Sequence, residues 1–101
     1  MKNILLVQAS FVWIINKKAM YLPYAIGCLW ANCQNSDLIK QNYHLLDLQV
    51  ERFNIDEVVN SYEDIDVAGF SCYCWNYNYT CKLAEKIKER FPNCLIVFGG
   101  P

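Results

Sequence analysis

The chain has 101 residues, which is enough for one domain and too few for two. Apolar residues make up 54% of the chain and charged residues 19%, so the sequence can bury a core and lacks the composition of a disordered protein. The formal net charge is −1 and the longest basic run is the pair Lys17-Lys18, which argues against a nucleic-acid-binding protein.

Strand-like and helix-like patterns alternate along the chain. Four strands are predicted at residues 4–7, 43–47, 66–72 and 94–98, and the runs at 4–7 and 66–72 are typical of strands buried on both faces. Helical patterns lie between them at residues 23–32, 55–62 and about 79–90, whereas the polar residues 32–42 are predicted to be a turn with a short connection. This order predicts right-handed crossovers and an α/β fold, a Rossmann-like or flavodoxin-like open parallel sheet of four strands with three intervening helices.

Two glycine-containing segments refine this prediction. Gly27 lies inside the first helical pattern, where glycine costs stability, so it is interpreted as a point of close packing on the sheet. The run Gly99-Gly100-Pro101 follows the fourth strand, and one face of the sheet then lacks its last helix. We therefore expect residues 1–101 to be a partial domain, truncated before its last βα unit.

The six cysteines indicate reduced thiols rather than a disulfide framework. No signal-peptide pattern precedes them, and Cys28, Cys81 and Cys94 fall at predicted core positions, where cysteine packs as a small hydrophobe. None of the spacings forms a CxxC pair or a CxxxCxxC run, so no metal or cluster site is expected in this chain. The apolar residues 4–15 are well short of the ~20 needed to span a bilayer, and we expect a cytoplasmic protein that binds no membrane.

Ligands of open parallel sheets bind beyond the carboxyl ends of the strands. That rule selects residues 8–10, 47–49, 71–76 and 99–101. The third segment and its continuation hold Tyr73, Trp75, Tyr77 and Tyr79, whose large apolar bodies and polar tips suit a wide, partly polar ligand or a partner domain. The alternative is that these rings simply fold over the edge of the sheet.

Several functional classes are not supported by the sequence. There is no GxGxxG after the first strand and no GxxxxGK[ST], so neither the dinucleotide-binding fingerprint nor a P-loop is present. Gln8 stands where a receiver domain would have its acidic pair, and the one histidine, His44, has no nucleophile beside it in the sequence. No catalysis by this chain alone is expected.

Several segments together resemble the N-terminal cobalamin-binding domain of B12-dependent radical S-adenosylmethionine (SAM) enzymes. The resemblance lies in residues 66–71, 74–76, 83–88 and 92–101, and residues 3–8 and 22–27 are similar to that family's first strand and first helix. It implies a corrin ring over the carboxyl edge of the sheet, with the dimethylbenzimidazole tail against it. The contacts that it implies are Ser10, Pro23, Ser71, Trp75, Asn76, Thr80, Gly99 and Gly100.

The resemblance also implies a longer parent enzyme, possibly a methyltransferase. A downstream radical SAM barrel would carry a [4Fe-4S] cluster and bind S-adenosylmethionine, and this barrel would be the module's partner. The DxHxxG motif, whose histidine ligates cobalt in another group of B12 domains, is absent here, so no histidine ligand to cobalt is expected from this chain. The alternatives are a flavodoxin-like or receiver-like domain that binds FMN or a protein partner, and a structural α/β domain whose aromatic loop docks another domain.

Overall fold

The computed structural model describes residues 1–9, 24–51 and 53–99. Its four strands form one parallel sheet in the order β2-β1-β3-β4, which confirms the predicted fold class. The elements in chain order are β1 (Lys2–Val7), α1 (Tyr24–Cys33), α2 (Asp37–Asn42), β2 (Tyr43–Gln49), α3 (Ile55–Asn60), β3 (Val67–Ser71), α4 (Tyr77–Arg90) and β4 (Leu95–Gly99).

The short helix α2 was not predicted, so the described residues contain four helices rather than three. It lies in the polar segment 32–42 and begins at Ser36, whose hydroxyl accepts a hydrogen bond from the Ile39 backbone N–H at 3.4 Å. Asp37 in its first turn and Lys40 in its last turn both complement the helix dipole. None of its residues is buried. A six-residue helix on the surface has too short an apolar pattern to be predicted from the sequence.

One face of the sheet carries the main core, beneath α3 and α4. Leu5 and Val7 on β1 and Ala68 and Phe70 on β3 alternate along their strands and therefore point to the same face. The predicted apolar side of α4 packs against them. The helix and loop members of this cluster are Val58, Val59, Ile65, Leu83, Ala84, Ile87, Phe91 and Cys94.

The opposite face of the sheet is covered by α1 over β1 and β3. Gln8 fixes the start of this helix, because its side-chain oxygen accepts a hydrogen bond from the Ile26 backbone N–H at 3.4 Å. Farther along this face, Leu95 and Val97 on β4 remain exposed. Helix α1 lies on one face of the sheet, and α3 and α4 lie on the other. The connecting helices therefore change faces between β1 and β3.

The packing of Gly27, Cys28 and Cys81 differs from the prediction. A Cβ at Gly27 would meet no described atom within 4 Å, so this glycine does not mark close packing on the sheet. Cys28 is exposed and Cys81 is half-buried, whereas Cys94 is buried as predicted. Because only one side of α1 faces the sheet, half of its apolar residues reach solvent instead of the core.

The pairing of β1 with β2 contains an irregularity. Ile4 pairs with Leu45 and Leu5 pairs with Asp47, so Leu46 is an extra residue on β2. Such a bulge shifts the alternation of side chains by one position. Beyond it, Gln49 points to the α4 side, where its amide nitrogen donates to the Tyr79 hydroxyl at 3.0 Å.

Within the described ranges, no helix is long and apolar enough to cross a membrane. The longest, α4, has 14 residues and a charged outer face.

Candidate functional site

The carboxyl ends of the four parallel strands meet at one edge of the sheet. The position between β1 and β3 is the topological switch point, because the helices change faces there, and open α/β sheets bind ligands at such points. The end of β2 lines neither of the two concavities at the switch point. Gln49 is only 2% exposed, and the Tyr79 hydroxyl that contacts it donates in turn to the Phe53 carbonyl at 2.8 Å.

Asn76 joins the ends of the two strands at the switch point. Its side-chain nitrogen donates to the Ala9 carbonyl at 3.2 Å and to the Ser71 carbonyl at 3.0 Å. Its side-chain oxygen accepts from the Tyr73 backbone N–H at 2.8 Å. The side chain is fully buried, so its polar atoms hold the loop between β3 and α4 against both strands.

That loop presents two stacked aromatic rings. The centroids of Tyr73 and Trp75 are 4.5 Å apart and their planes differ by 4°. The rings line an open concavity of about 520 Å³ at the carboxyl edge, which we call the aromatic shelf. Its lining residues are Cys72, Tyr73, Cys74, Trp75, Tyr77, Phe98 and Gly99.

A second concavity, the sheet groove, runs between α1 and the face of the sheet. It has a volume of about 310 Å³ and a mainly apolar lining. Tyr73 and Gly99 line both the groove and the aromatic shelf, so the two concavities meet at these residues. The groove's other members include Leu6, Ala25, Ile26, Leu29, Gly69 and Val97.

The Cys72 thiol at the aromatic shelf has a raised pKa. Partial burial raises the pKa of Cys72, and the neighbouring Cys81 raises it further. The pKa of the Tyr77 hydroxyl is raised chiefly by its hydrogen bond with Cys81. A raised pKa disfavours the reactive thiolate, so Cys72 is not an activated nucleophile. In the part of the chain that the structure describes, no three histidine, cysteine or acidic side chains group as metal ligands.

The structure brings together five of the eight residues predicted to contact a cofactor. Gly99 is exposed on both concavities, Trp75 is half-buried on the shelf, and Ser71 is 8% exposed at the end of β3. Asn76 and Thr80 lie beneath the shelf with exposures of 0% and 1%. The remaining three, Ser10, Pro23 and Gly100, lie outside the described residues.

Sequence reasoning missed the sheet groove. Ala25 and Leu29 were assigned to an ordinary helical stripe, and Val97 to the fourth strand. The available signal was weak: Leu95, Val97 and Gly99 share one face of β4 by period-two alternation, and that face carries exposed apolar side chains. The position of α1 over β1 and β3, which closes the groove, is a tertiary relationship.

His44 lies far from the aromatic shelf. It is the second residue of β2, pairs with Asn3 and is exposed. At a rise of about 3.3 Å per residue, it stands roughly 16 Å along the strand from Gln49 at the carboxyl edge.

The chain is thus a flavodoxin-like α/β domain with an apolar, aromatic concave surface at the carboxyl edge of its sheet. No protein-family profile matches the chain. Curated relatives do match it. One is the cobalamin-dependent radical SAM methyltransferase TokK of Streptomyces tokunonensis, which is 32% identical over 81 residues, covering 80% of this chain and 12% of the relative.

A second relative is the 2-(S-pantetheinyl)-carbapenam-3-carboxylate methyltransferase of Streptantibioticus cattleyicolor. It is 34% identical over 94 residues, covering 89% of this chain and 13% of the relative. The resemblance seen in the sequence is therefore confirmed: the chain is homologous to a part of cobalamin-dependent radical SAM methyltransferases. The chain spans about one eighth of the length of these relatives. Their names do not favour the alternative of an FMN-binding or receiver-like domain.

Proposed function

We propose that this chain is a cobalamin-binding module. The observation that carries the proposal is the meeting of two apolar concavities at Tyr73 and Gly99, on the carboxyl edge of the sheet. One is broad and lined by aromatic rings, and the other is a groove along the sheet. A corrinoid has the matching two parts, a wide macrocycle and a nucleotide tail.

The aromatic shelf suits the macrocycle for two reasons. Tyr and Trp side chains offer large flat surfaces with polar tips, which match a ring system with an apolar face and an amide-bearing rim. A Cβ at Gly99 would meet no described atom within 4 Å, so the described residues leave the space next to this backbone open. We propose Trp75 and Gly99 as contacts on the shelf and Ser71 as a contact in the adjoining sheet groove.

The sheet groove suits the nucleotide tail. Its floor includes Gly69 and its walls include Leu6, Leu29 and Val97, so it offers an apolar cleft with few charges. Ligand sites of this kind are mostly apolar with a few polar groups at the mouth. Ser71 and the Tyr73 ring supply those groups at the junction with the shelf.

The other five predicted contacts have either an indirect role or no described position. Asn76 and Thr80 are buried beneath the shelf, so we propose that they act on the cofactor through the loop that they support. Ser10, Pro23 and Gly100 remain proposed contacts because the resemblance to cobalamin-binding domains implies them.

For the whole protein we propose methyl transfer by a radical SAM enzyme. When bound, cobalamin supplies a cobalt centre able to carry a methyl group. This chain would hold and shield the cofactor, while a radical SAM domain of the longer protein would bind S-adenosylmethionine and a [4Fe-4S] cluster. Support comes from the relatives' names and from their greater length. A CxxxCxxC motif in the remainder of the gene is the expected result, and its absence there would contradict this part of the proposal.

We also propose a cytoplasmic location. All six cysteines lie in the described residues, and they are free thiols in the structure. Free thiols at exposed positions such as Cys28 and Cys74 suit a reducing compartment.

A titration with hydroxocobalamin tests the cofactor proposal. Purified chain is equilibrated with hydroxocobalamin or with FMN, and bound cofactor is measured by absorbance after gel filtration. We expect cobalamin to co-elute with the protein at one equivalent and FMN to be lost. Retention of FMN with loss of cobalamin would support the flavodoxin-like alternative and overturn the proposal.

A further inference from the structure

Asn76 occupies the N-cap position of α4 but does not cap the helix. An N-cap asparagine ordinarily accepts a hydrogen bond from a backbone N–H two or three residues later. Here the side chain makes no such bond. Its oxygen accepts from Tyr73, which precedes it, and its nitrogen donates to carbonyls at the ends of two strands.

The buried amide is well matched to its surroundings. Both N–H groups of the side chain are directed to carbonyl oxygens, and the carbonyl oxygen is directed to a backbone N–H. One of these bonds spans 67 residues of sequence, from α4 back to the end of β1. Leaving such buried backbone groups without partners is costly, so this side chain determines how the loop sits on the sheet.

We infer that Asn76 is the positioning residue of the aromatic shelf: it sets the place of the Tyr73–Trp75 pair by tying their loop to the ends of β1 and β3. The inference rests on the proposed function for its consequence in binding. The bond from the Tyr73 N–H fixes one end of the pair, and Trp75 is the residue directly before Asn76. Both rings are therefore attached to backbone that the amide holds.

Neither aspartate nor serine can make the same set of hydrogen bonds as the Asn76 side chain. Aspartate keeps an acceptor for Tyr73 but loses both donors and brings a negative oxygen towards the carbonyls of Ala9 and Ser71. Serine is a good helix N-cap, but it has one hydroxyl in place of an amide with two donors. Asn76→Ser should therefore keep a good N-cap for α4 and lose the hydrogen bonds that hold the loop of the aromatic shelf.

The test compares Asn76→Ser and Asn76→Asp with the matched control Asn78→Ala, an exposed asparagine in the first turn of the same helix. All variants carry Trp13→Phe and Trp30→Phe, so that Trp75 is the single tryptophan. Far-UV circular dichroism monitors the fold, and near-UV circular dichroism with acrylamide quenching monitors the stacked pair. Hydroxocobalamin titration measures affinity.

We expect Asn76→Ser to keep the far-UV spectrum, to lose the near-UV signal of the pair and to expose Trp75 to quencher. Cobalamin affinity should fall about tenfold, and Asn78→Ala should match the unmodified background. A folded Asn76→Ser protein with an unchanged near-UV signal overturns the inference. A lost signal with unchanged affinity keeps Asn76 as the positioning residue and overturns the proposed contact between the aromatic pair and cobalamin. If the background protein binds no cobalamin, the proposed function fails, while the near-UV and quenching data still decide whether Asn76 sets the pair.

Discussion

Leu6 on β1 lies over Gly69, its partner in the register of β3, so closely that a Cβ at position 69 would be 2.9 Å from the Leu6 Cδ2 atom. The glycine thus gives the leucine side chain its place on the sheet. Both residues line the sheet groove, so their contact sets the depth of its floor.

Replacing Gly69 with alanine is predicted to make the groove shallower. The new methyl group would push the end of the Leu6 side chain into the groove, because the atom that it meets is a flexible terminus rather than backbone. We expect the free energy of unfolding to fall by about 1 kcal/mol, and cobalamin affinity to fall roughly tenfold, the usual effect of one excess carbon in an apolar pocket. Urea denaturation and hydroxocobalamin titration measure the two effects. Unchanged affinity in a folded Gly69→Ala variant would place the nucleotide tail elsewhere.

Gly27→Ala is the matched control on the helix that faces the groove. No described atom lies within 4 Å of the Cβ position, and alanine is favoured over glycine inside a helix. We expect a gain of about 0.5–1 kcal/mol in the free energy of unfolding with unaltered cobalamin binding. A loss of stability in urea denaturation would mean that this side of α1 is more closely packed than the structure indicates.

Gly99→Val tests the junction of the groove and the shelf. Valine suits a strand, and the first carbon of its side chain would meet no described protein atom within 4 Å, so the melting temperature should change little. The same atoms would enter the space proposed for the cofactor, and we expect cobalamin affinity to fall by at least tenfold. Gly99→Ala should give a smaller loss, and a series in which neither variant affects binding would be inconsistent with the proposed site.

Trp75→Ala tests the aromatic shelf directly. The substitution removes the ring that stacks on Tyr73 and the surface that it offers to a ligand. A ring packed against a ligand's ring system contributes about 0.5–1.5 kcal/mol beyond its buried area, so loss of the Trp75 ring should weaken cobalamin binding roughly tenfold. Trp75→Phe should recover most of the affinity. Equal affinities for the alanine and phenylalanine variants would assign Trp75 to a contact other than the cofactor.

The stability of the chain is predicted to decline at alkaline pH. Burial raises the pKa of the Cys94 thiol above that of an exposed cysteine, although Lys88 opposes the shift. Above about pH 8.5 the unfolded chain therefore loses this proton before the folded chain does, and the free energy of unfolding falls as the pH rises. Urea denaturation between pH 7 and about pH 10 measures the slope.

Cys94→Ala should make that slope shallower without removing it, because burial also raises the pKa of Cys72 and of Tyr62. The slope, rather than the absolute stability, is the quantity compared, since removal of a buried sulfur has its own cost. Parallel slopes for the two proteins would show that Cys94 does not contribute.

The architecture was predictable because its signals are local. The apolar runs predicted the four strands, and the helical pattern that starts at residue 55 predicted the start of α3. Its N-cap is Asn54, whose side chain accepts a hydrogen bond from the Glu57 backbone N–H at 3.1 Å. Helix α2 was missed because its stabilisation comes from a cap and charges rather than from an apolar stripe. The rule that ligands bind at the carboxyl ends of strands selected the edge of the sheet at which the two concavities meet.

The inner arrangement of the site was not predictable in the same way. Asn76 was chosen for a loop position, yet its polar atoms are directed to Ala9, Ser71 and Tyr73. These contacts join residues distant in sequence, and no pattern of composition or spacing encodes them. The same is true of the end of β2, where the Gln49 side chain donates a hydrogen bond to the Tyr79 hydroxyl on α4.

The extra residue Leu46 also affects how related strands should be aligned. Asp47 and Gln49 face the α4 side only because one additional residue precedes them on β2. In a homologue without that residue, the amide that meets the tyrosine of α4 would have to stand one position earlier to occupy the same place. An alignment made without a gap there would pair residues from opposite sides of the sheet, and would make a retained contact look like a substitution.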